Sequence, residues 1–287
     1  MSEQARDPGK FIVINGIRTY FYEAGAGPPI VFVHGWALDS SYWKAQVDYF
    51  SQHYRAIAYD YRGAGKSDGG ETRFNTAQLA EDLATLVEAL ELKRPVLCGH
   101  SFGGAIIRAY AVKNPTRLAA LVFADSTAFT WKAKVGSYSN QISLGFGKLL
   151  RVKPPQKLMV GISKKLFFAK EYRKTNPEGI AFFEKQYLAN TYPGLINSSK
   201  AWAEREDIRE HVKQMQVPAL VIRGTEDVAT SVGEAKFLHR IFAGSTLQLI
   251  EGSGHMVMVE KPVELIKHMA TFLAGLELEK KGAMLPA

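Results

Sequence analysis

The chain has a single cysteine, Cys98, which excludes an internal disulfide framework and any site that needs several thiolates. Cys98 lies within the apolar run Pro95 to Cys98, where a small thiol is expected to pack rather than react. No run of 18 apolar residues is present, so no segment reads as a transmembrane helix. Residues 1–10 are polar and lack the apolar middle of a secretion signal, and the expectation is a soluble, cytoplasmic protein. The seven histidines form no close ligand series, so a catalytic metal is not expected.

Charge is unevenly distributed. The chain carries 36 Lys and Arg against 28 Asp and Glu, a net +8. Between Thr127 and Lys200 stand 13 basic and 3 acidic residues, which leaves −2 for the remainder. The basicity therefore belongs to one insertion and not to a surface shaped for nucleic acid. With no zinc-finger spacing or ordered basic recognition helix in the sequence, nucleic acid is not an expected partner. The stretches Gly147 to Lys153 and Lys164 to Lys170 mix basic with large apolar residues. Such mixing suits a solvated outer face whose lysine stems lie over apolar groups, and leaves open weak peripheral contact with anionic membranes or attraction of anionic substrates.

What is abundant is short apolar runs separated by helical patterns. Asn15-Gly16 between Phe11 to Ile14 and Thr19 to Tyr22 signals an antiparallel hairpin. Further strand-like runs begin at Pro29, Ala56, Pro95, Ala120, Ala219 and Leu247. Most are almost wholly apolar, as strands covered on both faces require. Helical patterns near 40–50, 76–90, 102–113, 231–241 and 262–272 alternate with them, giving an α/β fold with a mostly parallel sheet between helices. The alternation breaks between about Ser126 and Met215, too long an interval for a structureless loop. The expected organisation is a core in two parts, 1–125 and 216–287, with a mainly helical cap over 126–215.

Gly99-His100-Ser101-Phe102-Gly103 follows the run at Pro95 and opens a helical pattern. A Gly-x-Ser-x-Gly turn in that setting exposes its serine at a sharp strand-to-helix turn, which makes Ser101 the candidate nucleophile. A serine hydroxyl needs a base, and the base an orienting group. His255, in the Gly-rich loop after the last strand-like run, is the candidate base. Asp227, just beyond the run at Ala219, leads as the acid and completes the order Ser, acid, His. Asp125 and Glu226 remain open as alternatives. Donors for a developing oxyanion are the backbone N–H groups of Trp36 and Phe102. His34 is read as a loop-stabilising contact. Asp60 and Arg62 are expected to brace a loop beside the site through a charged hydrogen bond. Gly65-Lys66-Ser67 hints at a phosphate loop, but that motif needs a glycine where Asp60 stands.

In Val33-His34-Gly35-Trp36, the stretch Asp60 to Ser67, Gly99 to Gly104, Gly224 to Asp227 and Gly252 to His255, in that order, the chain resembles a capped, serine-nucleophile α/β-hydrolase of the carboxylesterase and lactonase group. The resemblance runs from Phe11 to Leu276 and is weakest in the cap. It implies an α/β-hydrolase fold, a Ser101, Asp227 and His255 triad, and no cofactor; the aromatic and aliphatic residues of the cap favour a small apolar ester or lactone as substrate, of short to medium acyl chain or aryl type. Relatives that cleave carbon–carbon bonds often carry an aromatic residue after the histidine, where this chain has Met256. Oxygenases, perhydrolases and ligand receptors share the scaffold, so the fold alone does not fix the reaction.

Overall fold

The structure is a computed structural model and describes residues 9–128 and 155–276. Eight strands form one sheet: β1 Lys10–Ile14, β2 Ile17–Ala24, β3 Pro29–Val33, β4 Arg55–Tyr59, β5 Val96–His100, β6 Ala120–Ala124, β7 Ala219–Gly224 and β8 Thr246–Ile250. Their order is β1-β2-β4-β3-β5-β6-β7-β8, antiparallel through β1, β2 and β4 and parallel thereafter. The expected hairpin forms at Asn15-Gly16, where both residues have positive φ, 48° and 77°, the backbone that a two-residue turn between twisted strands demands.

Alternate residues of the central strands feed two cores, as a doubly covered sheet requires. Val31, Ile57, Leu97, Leu121 and Phe123 pack with Leu83 and Ile106, from helices α2 (Thr76–Ala89) and α3 (Phe102–Lys113). Ile30, Phe32, Cys98, Val122 and Ile222 pack with Val47 and Met269 on the other face. Cys98 is fully buried among them, and burial pushes its thiol well above the ordinary range. Val47 comes from α1 (Lys44–Phe50).

Between β6 and β7 the described residues hold five helices: α4 Gln156–Phe167, α5 Lys170–Thr175, α6 Pro177–Ala189, α7 Tyr192–Ala203 and α8 Arg209–Lys213. The expected basic stretch 147–153 lies outside the described residues. In 164–170, Phe167 and Phe168 are buried while Lys165 and Lys170 are exposed, and Lys164 pairs with Glu184. The apolar rings of that stretch thus pack into the protein while Lys165 and Lys170 face water. The chain returns to the core through α9 (Val232–Ile241), α10 (Val257–Glu260) and α11 (Pro262–Gly275). No described helix is long and apolar enough to cross a membrane.

Parallel register brings the strand ends level, with Val33 opposite Gly99, His100 opposite Ala124 and Gly224 opposite Ile250. The loops after β3, β5, β6, β7 and β8 therefore converge at one edge of the sheet, where the strand order changes direction and α/β folds form their clefts.

Candidate active site

Ser101 joins β5 to α3 with φ 49° and ψ −112°, a backbone that L-residues with a side chain rarely adopt. The turn is tight enough that a methyl group on Gly99 would lie 2.6 Å from the backbone of Gly103. One on Gly103 would lie 2.2 Å from the Val33 carbonyl. Both glycines are thus fixed by space. The strand, turn and helix expected around Ser101 are present, and they aim its side chain at the loop after β8.

There His255 Nε2 lies 2.9 Å from Ser101 Oγ, and His255 Nδ1 lies 2.8 Å from Asp227 Oδ2. Asp227 is fixed in turn. Its Oδ1 accepts from the N–H groups of Ala229 and Thr230, each at 2.8 Å. Its Oδ2 accepts from Arg223 Nη1 at 2.7 Å and Thr230 Oγ1 at 2.6 Å. Burial would raise the Asp227 carboxyl, but the His255 and Arg223 charges outweigh it and hold it at about 2. Burial likewise disfavours a charged His255, yet the adjoining Asp227 carboxylate wins and raises the imidazole above its usual value.

The two alternative acids have other surroundings. Asp125 Oδ1 accepts from the Gly224 N–H at 2.9 Å and Oδ2 from the Val257 N–H at 3.2 Å, so both oxygens serve backbone amides. Burial, helped by the nearby Asp227 charge, pushes Asp125 up to about 7. Glu226 is exposed.

On the opposite side of Ser101 runs the loop after β3. A methyl group on Gly35 would lie 3.2 Å from Ser101 Cβ, and the Gly35 carbonyl is fixed by His34 Nδ1–H at 2.9 Å and Tyr61 O–H at 3.1 Å. His34 stacks on Tyr61 at 4.2 Å, and burial lowers its pKa to about 4, so it serves as a neutral brace. This loop brings Trp36 beside the turn that carries Phe102. Phe102 is the first residue of α3, so its N–H has no partner within the helix and lies at the positive end of the helix dipole.

The expected link between Asp60 and Arg62 is not what the structure contains. Asp60 accepts from the backbone of Ser40 and Lys66 at 2.7 and 2.8 Å, while Arg62 makes a forked ion pair with Asp82 on α2. Residues 60 and 62 lie two apart at a turn, and their side chains diverge toward different neighbours. Sequence reading also missed Thr230 and Arg223. No sequence signal marks Thr230. Arg223 had one, since a charged residue in an otherwise apolar buried strand must find a partner.

Above Ser101 the wall is aromatic. The Phe167 ring centroid lies 5.3 Å from that of His255 and 6.5 Å from that of Trp36, and Trp36 Nε1 donates to the Leu195 carbonyl at 3.1 Å. Among the described residues no group of His, Cys, Asp and Glu could hold a metal ion.

Residues 28–262 match the family model described as alpha/beta hydrolase fold. The chain belongs to that family. It is 26% identical over 235 residues to 3-oxoadipate enol-lactonase 2 of Acinetobacter baylyi, covering 82% of this chain and 84% of the relative. It is 28% identical over 280 residues to a non-heme chloroperoxidase of Streptomyces lividans, covering 92% and 99%. A solved thermophilic esterase from Thermogutta terrifontis, with malate bound, superposes with a TM-score of 0.85 at 25% identity, covering 93% of this chain and 98% of the other. The family makes this chain an α/β hydrolase; these relatives do not share one substrate.

Proposed function

We propose that this chain is a serine hydrolase that cleaves carboxylic esters, cyclic esters included, through an acyl-enzyme intermediate. The observation that carries this reading is the unbroken hydrogen-bonded line from Ser101 Oγ through His255 to the Asp227 carboxylate. In this mechanism neutral His255 takes the Ser101 proton as the oxygen attacks the ester carbonyl. The Asp227 charge stabilises the imidazolium that forms. The N–H groups of Trp36 and Phe102 receive the developing oxyanion as donors held in place by their loops. His255 then protonates the departing alcohol and, in the second half, removes a proton from the water that releases the acid. No step requires a metal or an organic cofactor.

The helices described between β6 and β7 act as a cap over the site, and their aromatic contribution beside His255 favours apolar acyl or aryl groups. The enol-lactonase and esterase relatives support ester and lactone carbonyls as the substrate class. The test is a fluorophosphonate probe followed by intact-mass and peptide analysis, with turnover of ester, lactone and carbon–carbon cleavage substrates in parallel. One adduct on Ser101, lost in S101A, together with ester turnover beyond one equivalent, is expected. Full turnover by S101A, or activity confined to carbon–carbon cleavage, would overturn the proposal.

A further inference from the structure

The backbone around His255 is held residue by residue. The His255 N–H donates to the Phe167 carbonyl at 2.7 Å, and its carbonyl accepts from His100 Nε2 at 2.7 Å. The Val257 N–H goes to Asp125, and the Met258 carbonyl accepts from Gln46 Nε2 at 3.1 Å. The remaining anchor is Glu260. Its Oε1 accepts from the Met256 N–H at 3.2 Å, while its Oε2 accepts from the Ala169 N–H at 2.9 Å. Ala169 stands 91 positions away, between α4 and α5.

A carboxylate that merely capped the short α10 would need only the first of these bonds. The second reaches into the inserted helices at the residue pair next to Phe167, whose carbonyl receives the His255 N–H. Both oxygens accept, the pattern an ionised carboxylate serves best, and these amide bonds work against the burial that raises the Glu260 pKa; a glutamine of the same shape would turn an N–H₂ toward one of the two amides. Glu260 and Ala169 are both buried, so that mismatch would not be relieved by water.

We infer that Glu260 is a positioning residue for His255, whose carboxylate ties the seat of the cap and the aim of the imidazole into one unit. It touches neither substrate nor the reacting atoms. Its effect passes through the backbone of 255–256 and through 167–169, so a cap displaced by loss of the carboxylate carries His255 off its line to Ser101. The inference rests on the proposed roles of Ser101 and His255.

E260Q and the wild type are compared by three readouts: the rate of Ser101 phosphonylation, kcat and KM for a small ester, and the low-field proton resonance of His255 Nδ1 in its bond to Asp227. Expected is a folded E260Q whose phosphonylation rate and kcat each fall about ten- to 10²-fold, as small misplacements of a reacting group do. The low-field resonance should shift or broaden. Rates within twofold of wild type with the resonance unchanged, or a change confined to KM, would overturn the inference and leave Glu260 as a structural cap. Should E260Q not fold, E260D is read against the same outcomes, since it keeps the charge but is too short to span both amides. If the wild type neither reacts with the probe nor turns over esters, the proposed function fails, and the resonance alone still decides whether Glu260 positions His255.

Discussion

Asp125 directly follows β6 and Asp227 lies three residues beyond the neighbouring strand β7, and of the two it is Asp227 that bonds the imidazole of His255. Asp125 gives its two oxygens to the N–H groups of Gly224 and Val257. The two carboxylates therefore predict opposite phenotypes. D227N should lower kcat by about 10³–10⁴-fold with the fold retained, on the precedent of serine-protease triads. D125N places an amide N–H₂ against one backbone donor, so its main cost should be stability, about 1–3 kcal/mol, with a much smaller loss of rate. Steady-state kinetics and denaturant titration on both variants check the ranking, and a slower D125N would transfer the orienting role.

The pH profile follows from the same geometry. His255 accepts the Ser101 proton only when neutral, and its pKa lies above the usual histidine value of 6.5 because the Asp227 charge outweighs burial. Activity should therefore fall as pH drops through a value above 6.5, seen in kcat/KM for the free enzyme. Removing the Asp227 charge in D227N favours the neutral imidazole, so the acid limb of its much lower activity should move down in pH. D125N should move the limb in the same direction by less, because Asp125 also favours the charged imidazole. An acid limb below 6.5 in the wild type would contradict the electrostatic account.

The strands, and the meeting of Ser101, His255 and Asp227 at one place, were legible because each depends on local chemistry. Apolar runs such as Ala120 to Ala124 and turn residues such as Asn15-Gly16 act over a few positions, and parallel register then brings Ser101, Asp227 and His255 to one sheet edge without further instruction. The ties that hold those residues in line were not legible. Glu260 reaches Ala169 and Gln46 reaches Met258 across 91 and 212 positions, and nothing near either residue in the sequence names its partner. The Asp60 and Arg62 expectation failed for the same reason: proximity in sequence suggested a pair, whereas Asp82 on α2 holds Arg62.

Backbone strain at Ser101 yields a stability prediction separable from chemistry. A non-glycine residue at φ 49°, ψ −112° stores about 1–3 kcal/mol, against the roughly 0.5–1 kcal/mol that glycine loses through its freer unfolded chain. The balance favours glycine. Both S101A and S101G should lack ester turnover, and S101G should be the more stable by about 1 kcal/mol. Differential scanning calorimetry should place its midpoint about 1–2 °C higher for a chain of this size, and an equal or lower midpoint would remove strain from the account of the turn.

Phe167 both walls the site and anchors the histidine loop, and a substitution can separate the two roles. Its carbonyl receives the His255 N–H while its ring stands against His255, Trp36 and Phe183. F167A keeps the carbonyl and removes the ring, so the line from His255 to Ser101 should survive in a wider pocket. Loss of a buried aromatic ring costs about 3–5 kcal/mol of stability, and measurements belong well below the lowered melting point. Each methylene an apolar pocket accepts or rejects is worth about 10–200-fold in selectivity. The ratio of kcat/KM for a medium-chain ester over an acetate ester should thus rise by at least about tenfold in F167A, with F167L between it and the wild type. An unchanged ratio in folded F167A would place the acyl group away from this ring, on the side of the loop that carries Trp36.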